Sequence, residues 1–199
     1  MEKITNQVEK LFSDKEQWDS FLELAPKKDT IKNDWYYKLS PPLIQSFNVD
    51  DVIEEWGFYS NPEDFRWYIK DFGNDSLYLA FWGNEFVLFA NGEVLQIEAI
   101  KQKLRSKKYS PILSAFERLD YCLDGDDDGY LLKEIGNFSF GDPCDKNIDI
   151  YSLSWYANYR NVDFVNQIKS KVDKFRKNQE VMKLFFDLYN LKIENKKRK

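Results

Sequence analysis

Two dipeptides constrain what this chain can fold into. Gly83-Asn84 separates the apolar runs SLYLAFW (76–82) and EFVLFA (85–90), and Asn91-Gly92 separates the second run from EVLQI (93–97). Two-residue hairpin turns need positive φ at their centre, which Gly and Asn tolerate. The spacing predicts a three-stranded antiparallel meander over about 76–97. Both faces of its first strands are apolar: Leu77, Leu79 and Phe81 on one, Tyr78, Ala80 and Trp82 on the other. A sheet wetted on one side would alternate polar and apolar residues. This one is expected to be covered on both faces, by helices of the chain or, on one face, by a partner.

Helical spacing is read elsewhere. Ile4, Val8, Leu11 and Phe12 form one stripe; Ser13-Asp14-Lys15-Glu16 then reads as a capping box ahead of Trp18, Phe21, Leu22 and Ala25. The aromatic segment 34–47, with Pro41-Pro42, favours extended or turn structure. Further helices are expected over 48–57, capped by Asn48 and carrying Val49, Val52, Ile53 and Trp56, and after Asn61-Pro62, carrying Phe65, Tyr68, Ile69 and Phe72. Another runs from Ser110 to Leu123. The run NIDIYSLSWYAN alternates and predicts a strand over about 148–157, and Val165, Ile168, Val172, Phe175, Met182, Phe186 and Tyr189 predict one long C-terminal helix over about 161–191. The expected class is α+β, a central antiparallel sheet packed by helices, as a single domain over 1–191 with a basic, solvated tail over 192–199.

Composition removes whole function classes. The 199 residues include no histidine, which excludes a Ser-His-Asp triad, a Cys-His pair and any imidazole metal site within the chain. Two cysteines, Cys122 and Cys144, cannot complete a four-ligand zinc site. The opening MEKITNQVEK lacks an apolar signal region and no run reaches about 18 apolar residues, so the expectation is a cytoplasmic chain that does not span a membrane, with free thiols. Aromatic residues make up 17 %, enough for rings to dominate packing.

Charge shapes the functional expectation. The net charge is −5, although Lys192–Lys199 holds five bases and one acid. An acidic body repels a phosphate backbone, so direct nucleic-acid binding is disfavoured. Nine acids stand against two bases between Asp120 and Asp149. Within that stretch, Asp124–Ile135 (DGDDDGYLLKEI) resembles a calcium loop: Asp124, Asp126 and Asp128 at positions 1, 3 and 5, Gly129 at 6, the Tyr130 carbonyl at 7 and Leu131 at 8. Position 12, the bidentate glutamate, is Ile135, with Glu134 one residue early, and Leu131–Phe140 looks more like strand than helix. The bias is therefore toward no cofactor, with a weak calcium site on Asp124, Asp126, Asp128 and Tyr130 as the alternative. Clustered carboxylates in a Gly-rich turn simply ionise, so a carboxylate-dependent hydrolase ranks third.

The remaining class is a non-catalytic acidic binding protein with a basic protein partner. Asp124, Asp126, Asp127 and Asp128 would steer that partner, and Tyr130 with the Trp35-Tyr36-Tyr37 cluster would anchor it. The composition is similar to that of bacterial immunity proteins, which neutralise a cognate toxin. That likeness is one of size, charge and class and rests on no motif. It implies an immunity or antitoxin role against a basic toxin such as a nuclease.

Overall fold

In the computed structural model, which describes residues 14–49, 55–61, 64–117, 119–121, 129–141 and 148–193, the hairpin forms as the turn residues require. Leu77–Trp82 (β3) and Glu85–Ala90 (β4) pair antiparallel across Gly83-Asn84, with Gly83 at φ +59°. The meander does not continue through its second turn. The Asn91 side chain accepts from Glu93 N (2.8 Å) and its carbonyl accepts from Val94 N and Leu95 N, so the chain winds up into helix α4 (Ile97–Leu104) instead of returning as a strand. EVLQI pairs only briefly, residues 94–96 against 191–193 with Leu95 opposite Lys192.

The neighbours of β3 and β4 come from other segments. Trp56–Asn61 (β1), Asp64–Ile69 (β2), Asp120–Tyr121 (β5) and Tyr130–Ile135 (β6) complete an antiparallel sheet, and among the described residues its order is β1-β2-β3-β4-β6-β5. Two expected helices are thereby overturned. Residues 64–69 bury Phe65, Trp67 and Ile69 at period two, and pairing with β3 outweighs the local helix-start signal at Asn61-Pro62. Trp56 belongs to β1, not to a helix over 48–57, while Val52 and Ile53 lie outside the described residues. The 34–47 segment is helical rather than extended: α2 (Lys28–Tyr36), a 3-10 turn (Tyr37–Leu39) and α3 (Ser40–Val49). Pro41 and Pro42 stand in the first turn of α3, where the missing N–H groups would have had no partner.

The expected strand over 148–157 is also a helix, α6 (Ile150–Tyr159), and not part of the sheet. Asp149 caps it by accepting from Ser152 N at 2.8 Å, and it buries Leu153, Ser154, Tyr156 and Ala157. The C-terminal helix divides in two, α7 (Asn161–Arg176) and α8 (Gln179–Tyr189). Asn178 is the reason: in an extended conformation, its side chain accepts from Glu180 N and Val181 N and starts a new helix. The helix expected from Ser110 stops at Ala115 (α5, Ser110–Ala115). Near the start, α1 (Lys15–Leu24) carries the Trp18 stripe, and Asp14 caps it through Glu16 N; Ile4, Val8, Leu11, Phe12 and Ser13 lie outside the described residues. Lys192 and Ile193, the first two residues of the expected basic tail, are tied to the 94–96 segment, and 194–199 lie outside the described residues.

The helices settle on one face of the sheet. Phe47 of α3 packs edge-on to Trp67, Phe164 of α7 edge-on to Phe81, and Phe175 against Phe86. The core on that side joins Phe65, Leu77, Leu79, Leu88 and Leu132 to Leu153, Ile168, Val172, Val181 and Phe185 from α6, α7 and α8. Burying each such side chain is worth about 1.5–3 kcal/mol, so this layer accounts for most of the folding drive. A second cluster, on the other face, is built from strand residues alone: Tyr78, Ala80 and Val87, with Tyr68, Trp82, Phe89 and Tyr130 packed on them. Among the described residues helices therefore cover one face only, not both. No helix among them is long and apolar enough to cross a membrane.

Candidate functional site

The side-chain alternation of five strands assembles the other face of the sheet, helix-free among the described residues. Residues 59 on β1, 64, 66 and 68 on β2, 78, 80 and 82 on β3, 85, 87 and 89 on β4 and 130 on β6 share it, because their strand neighbours point into the helical core. Tyr78 stacks on Phe89 at 5.1 Å, and Trp82, Phe89 and Tyr130 meet pairwise edge-to-face at 5.5–5.6 Å. Such geometry sets the positive edge of one ring against the negative face of the next. The Arg66 guanidinium lies over Tyr78 (4.6 Å) and Tyr59 (5.5 Å).

A polar clasp fixes that arginine. Arg66 Nε donates to Asp64 Oδ2 (2.7 Å), and Nη1 donates to Asp75 Oδ1 (3.0 Å) and the Asn74 carbonyl (3.2 Å). The other Asp64 oxygen accepts from Trp82 Nε1, so one carboxylate orients both the arginine and the indole. Burial pushes the Tyr78 phenol above its ordinary value, although Arg66 acts against this. Tyr78 is nearly closed off, whereas Tyr68, Trp82, Phe89 and Tyr130 remain half-buried and Tyr59 is exposed. Here the chain presents fixed rings and neutralised charge pairs, the residue types that anchor interfaces at low conformational cost.

Gly129 joins this face to the acidic segment. Its φ is +100°, its carbonyl accepts from Ala90 N at 2.8 Å, and a Cβ there would meet the Phe89 ring at 2.5 Å. The chain therefore enters β6 flush against Phe89. Of the residues singled out from the sequence, Tyr130 takes its place on the ring face, while Asp124, Asp126, Asp127 and Asp128 lie outside the described residues. The acidic segment leads into strand β6, as the residue pattern suggests, so the helix that flanks a helix-loop-helix calcium site is not formed there. Among the described residues, no three Asp, Glu or Cys side chains converge as metal ligands.

The Trp35-Tyr36-Tyr37 cluster stands elsewhere. Tyr36 is buried and its hydroxyl donates to the Gly83 carbonyl (2.9 Å), bracing the β3–β4 turn; Tyr37 packs against the core. Trp35 meets Tyr159 edge-on at 5.6 Å and lines a cavity of about 320 Å³ with Phe21, Leu24, Lys28 and Tyr151. Tyr36 and Tyr37 sit beside Gly83, before β4 begins, whereas Gly129 stands beside Ala90 at the other end of that strand. Sequence reading misses Asp64, Arg66 and Tyr59. The available signal is the doubly apolar β3; Asp64 and Arg66 are hidden because 61–72 reads as a helix.

A second polar cluster lies on the helical side. Lys171 of α7 reaches buried Glu134 of β6 and, at 3.3 Å, Glu117, while Glu134 also accepts from Glu117 N (2.8 Å). The Lys174 ammonium, with Lys171 behind it, holds the Glu117 carboxyl below its ordinary range. Each charge has its opposite, and the group ties α7 to the sheet without presenting a spare acid or base. Comparison with models of known protein families, with curated proteins and with solved structures finds no match for the chain.

Proposed function

We propose that the chain is a non-catalytic binding protein that engages a basic protein through the helix-free face of its sheet. Within that class we infer an immunity or antitoxin role in the cytoplasm, blocking a cognate toxin such as a nuclease and needing no cofactor. The observation that carries this reading is the ring cluster of Tyr78, Trp82, Phe89 and Tyr130, which no helix among the described residues covers and which the Asp64–Arg66–Asp75 clasp holds. Half-buried Trp and Tyr around a desolvated centre are the usual hot spots of protein interfaces. The net charge of −5 and the four aspartates preceding Gly129 supply long-range attraction for a basic surface.

The test is co-expression with basic products of neighbouring genes. A partner that arrests growth alone is expected to be silenced by the wild-type chain and to co-purify with it. Trp82→Ala should weaken that complex through faster dissociation, by about 30-fold if the indole is worth ~2 kcal/mol. Neutralising Asp126, Asp127 and Asp128 to Asn should instead slow association and flatten its salt dependence. A partner bound with the same rates by the wild type, by Trp82→Ala and by the triple variant would show that another surface is used.

A further inference from the structure

Where α1, α2 and α6 meet, the cavity of about 320 Å³ beside Trp35 has an apolar wall: Phe21 and Leu24 from α1, Ile31 and Trp35 from α2, and the Tyr151 ring from α6. Among the described residues, its charged lining side chains are both bases, Lys28 and Lys32. They stand one helical turn apart on α2, and their Nζ atoms lie 5.5 and 5.7 Å from the centroid of the one Tyr151 ring. Among the described residues neither ammonium forms an ion pair, whereas the neighbouring carboxylates are engaged. Lys15 holds Asp19 at 2.5 Å, Lys27 holds Glu23 at 3.3 Å, and Asp29 accepts from the Tyr151 hydroxyl at 2.7 Å. In a chain of net charge −5, this groove carries a local excess of positive charge.

We propose that this groove binds a small amphipathic anion, a short apolar body carrying one carboxylate, with the carboxylate turned toward Lys28 and Lys32. Charge complementarity selects that occupant. An anionic head above the Tyr151 ring is in reach of both ammoniums, which the described residues leave without a counter-ion. A cation is repelled there, and a neutral apolar molecule gains nothing from either lysine. The body of the ligand takes the surface of Leu24, Ile31 and Trp35 out of water. Size points the same way: a volume near the lower end of small-molecule sites, which span about 300–1,000 Å³, suits a single small ligand. Part of the wall is set in place before binding. Tyr159 meets Trp35 edge-on, the Asp29 carboxylate fixes the Tyr151 ring through its hydroxyl, and Ser154 donates to the Tyr151 carbonyl at 2.6 Å. The basic protein proposed for the ring face of the sheet does not suit this site, so the two bind different chemistry and neither reading rests on the other.

The experiment is titration of the full chain with octanoate at low salt, followed by calorimetry and amide NMR, with octanol as the neutral counterpart. Octanoate is expected to saturate one site, to shift the amides of 21–35 and 151–154 together with the Trp35 indole N–H, and to leave β2 and β3 unmoved. Lys28→Gln with Lys32→Gln should weaken octanoate about tenfold and leave octanol unchanged, and molar salt should reproduce that loss. Leu24 is 51 % exposed, so Leu24→Glu should keep the melting temperature while its carboxylate repels octanoate from the groove. Octanol bound as tightly as octanoate by the wild type would overturn the proposal, because the lysines would then select nothing. So would the absence of saturation, an affinity indifferent to the double glutamine variant, or shifts centred on the ring face of the sheet. A ligand-free chain that sediments as a dimer, and that Leu24→Glu turns into a monomer, would assign the groove to a second copy and overturn it as well.

Discussion

Gly129 and Gly73 both adopt positive φ, +100° and +75°, yet their surroundings differ. A Cβ on Gly73 would have open space, so alanine there meets only the backbone cost of its positive-φ, extended conformation (ψ 165°), a nearly glycine-only region worth about 1–3 kcal/mol. A Cβ on Gly129 would overlap the Phe89 ring at 2.5 Å and the Ala90 carbonyl at 2.7 Å. The ring is wedged against Tyr78, Trp82 and Tyr130, and the carbonyl belongs to β4, so neither yields cheaply. Gly129→Ala is therefore expected to add an overpacking cost of about 1–3 kcal/mol to the strain of its own positive φ. Paired denaturant melts of the two variants check this; equal losses would mean that the acidic segment does not enter β6 against Phe89. The glycine that reads as the turn residue of a calcium loop is accounted for by this close approach.

At the scale of elements, caps decide where the apolar pattern leaves a choice. Val165 to Tyr189 reads as one continuous stripe, because each new helix resumes near the phase in which the last one ended. Asn178 interrupts it by giving two N–H groups of α8 an acceptor. Asn178→Ala should cost about 1 kcal/mol, and Asn178→Asp or Asn178→Ser should restore most of it; thermal melts of the three variants measure this. Full stability in the alanine variant would show that packing of Val181 and Phe185 alone starts α8. The same competition explains which parts of the fold are legible in the sequence. Gly83-Asn84 specifies β3 and β4 because a two-residue turn is a local device. β2 is not legible: Phe65, Ile69 and Phe72 satisfy helical spacing, and only β3 beside them selects period two. α6 is disguised because Ser152 and Ser154 let NIDIYSLSWYAN pass as alternating, and the Asp149 cap that starts the helix is a single residue in an acidic stretch. For the site, Tyr130 is legible from motif position, whereas the Asp64–Arg66 clasp needs the β2–β3 register.

At the scale of the molecule, buried titratable groups define the pH range of the fold. Tyr78 closes the centre of the helix-free face, and Tyr109, also buried, anchors α5 to α8 by donating its hydroxyl to Asp187 at 2.6 Å. Burial raises both phenols above their ordinary value, for Tyr109 with help from the Asp187 hydrogen bond. A raised folded value means that the folded chain holds its proton longer than the unfolded chain. Stability from these groups is thus fully present below the unfolded tyrosine value of about 10 and is lost as pH rises beyond it. The acid side has the opposite sign. Lys108 and then Tyr109 hold the Asp187 carboxyl down to about 2, and Lys174 holds Glu117 down. Their contribution is present above the unfolded carboxylate range near 4 and fades as pH falls through the folded values. A plateau between those limits is expected. The two tyrosines can be separated on its alkaline edge. Tyr78→Phe keeps the ring packing on Phe89 and removes one titrating phenol, so stability should fall less steeply above pH ~10 than in the wild type. Tyr109→Phe should flatten the same edge but also lower the plateau, because Asp187 loses a donor. Urea melts across the alkaline range, read alongside phenolate absorbance, measure both slopes. An unchanged slope in Tyr78→Phe would mean that solvent reaches the phenol in the folded chain, and that the centre of the ring face is open rather than sealed.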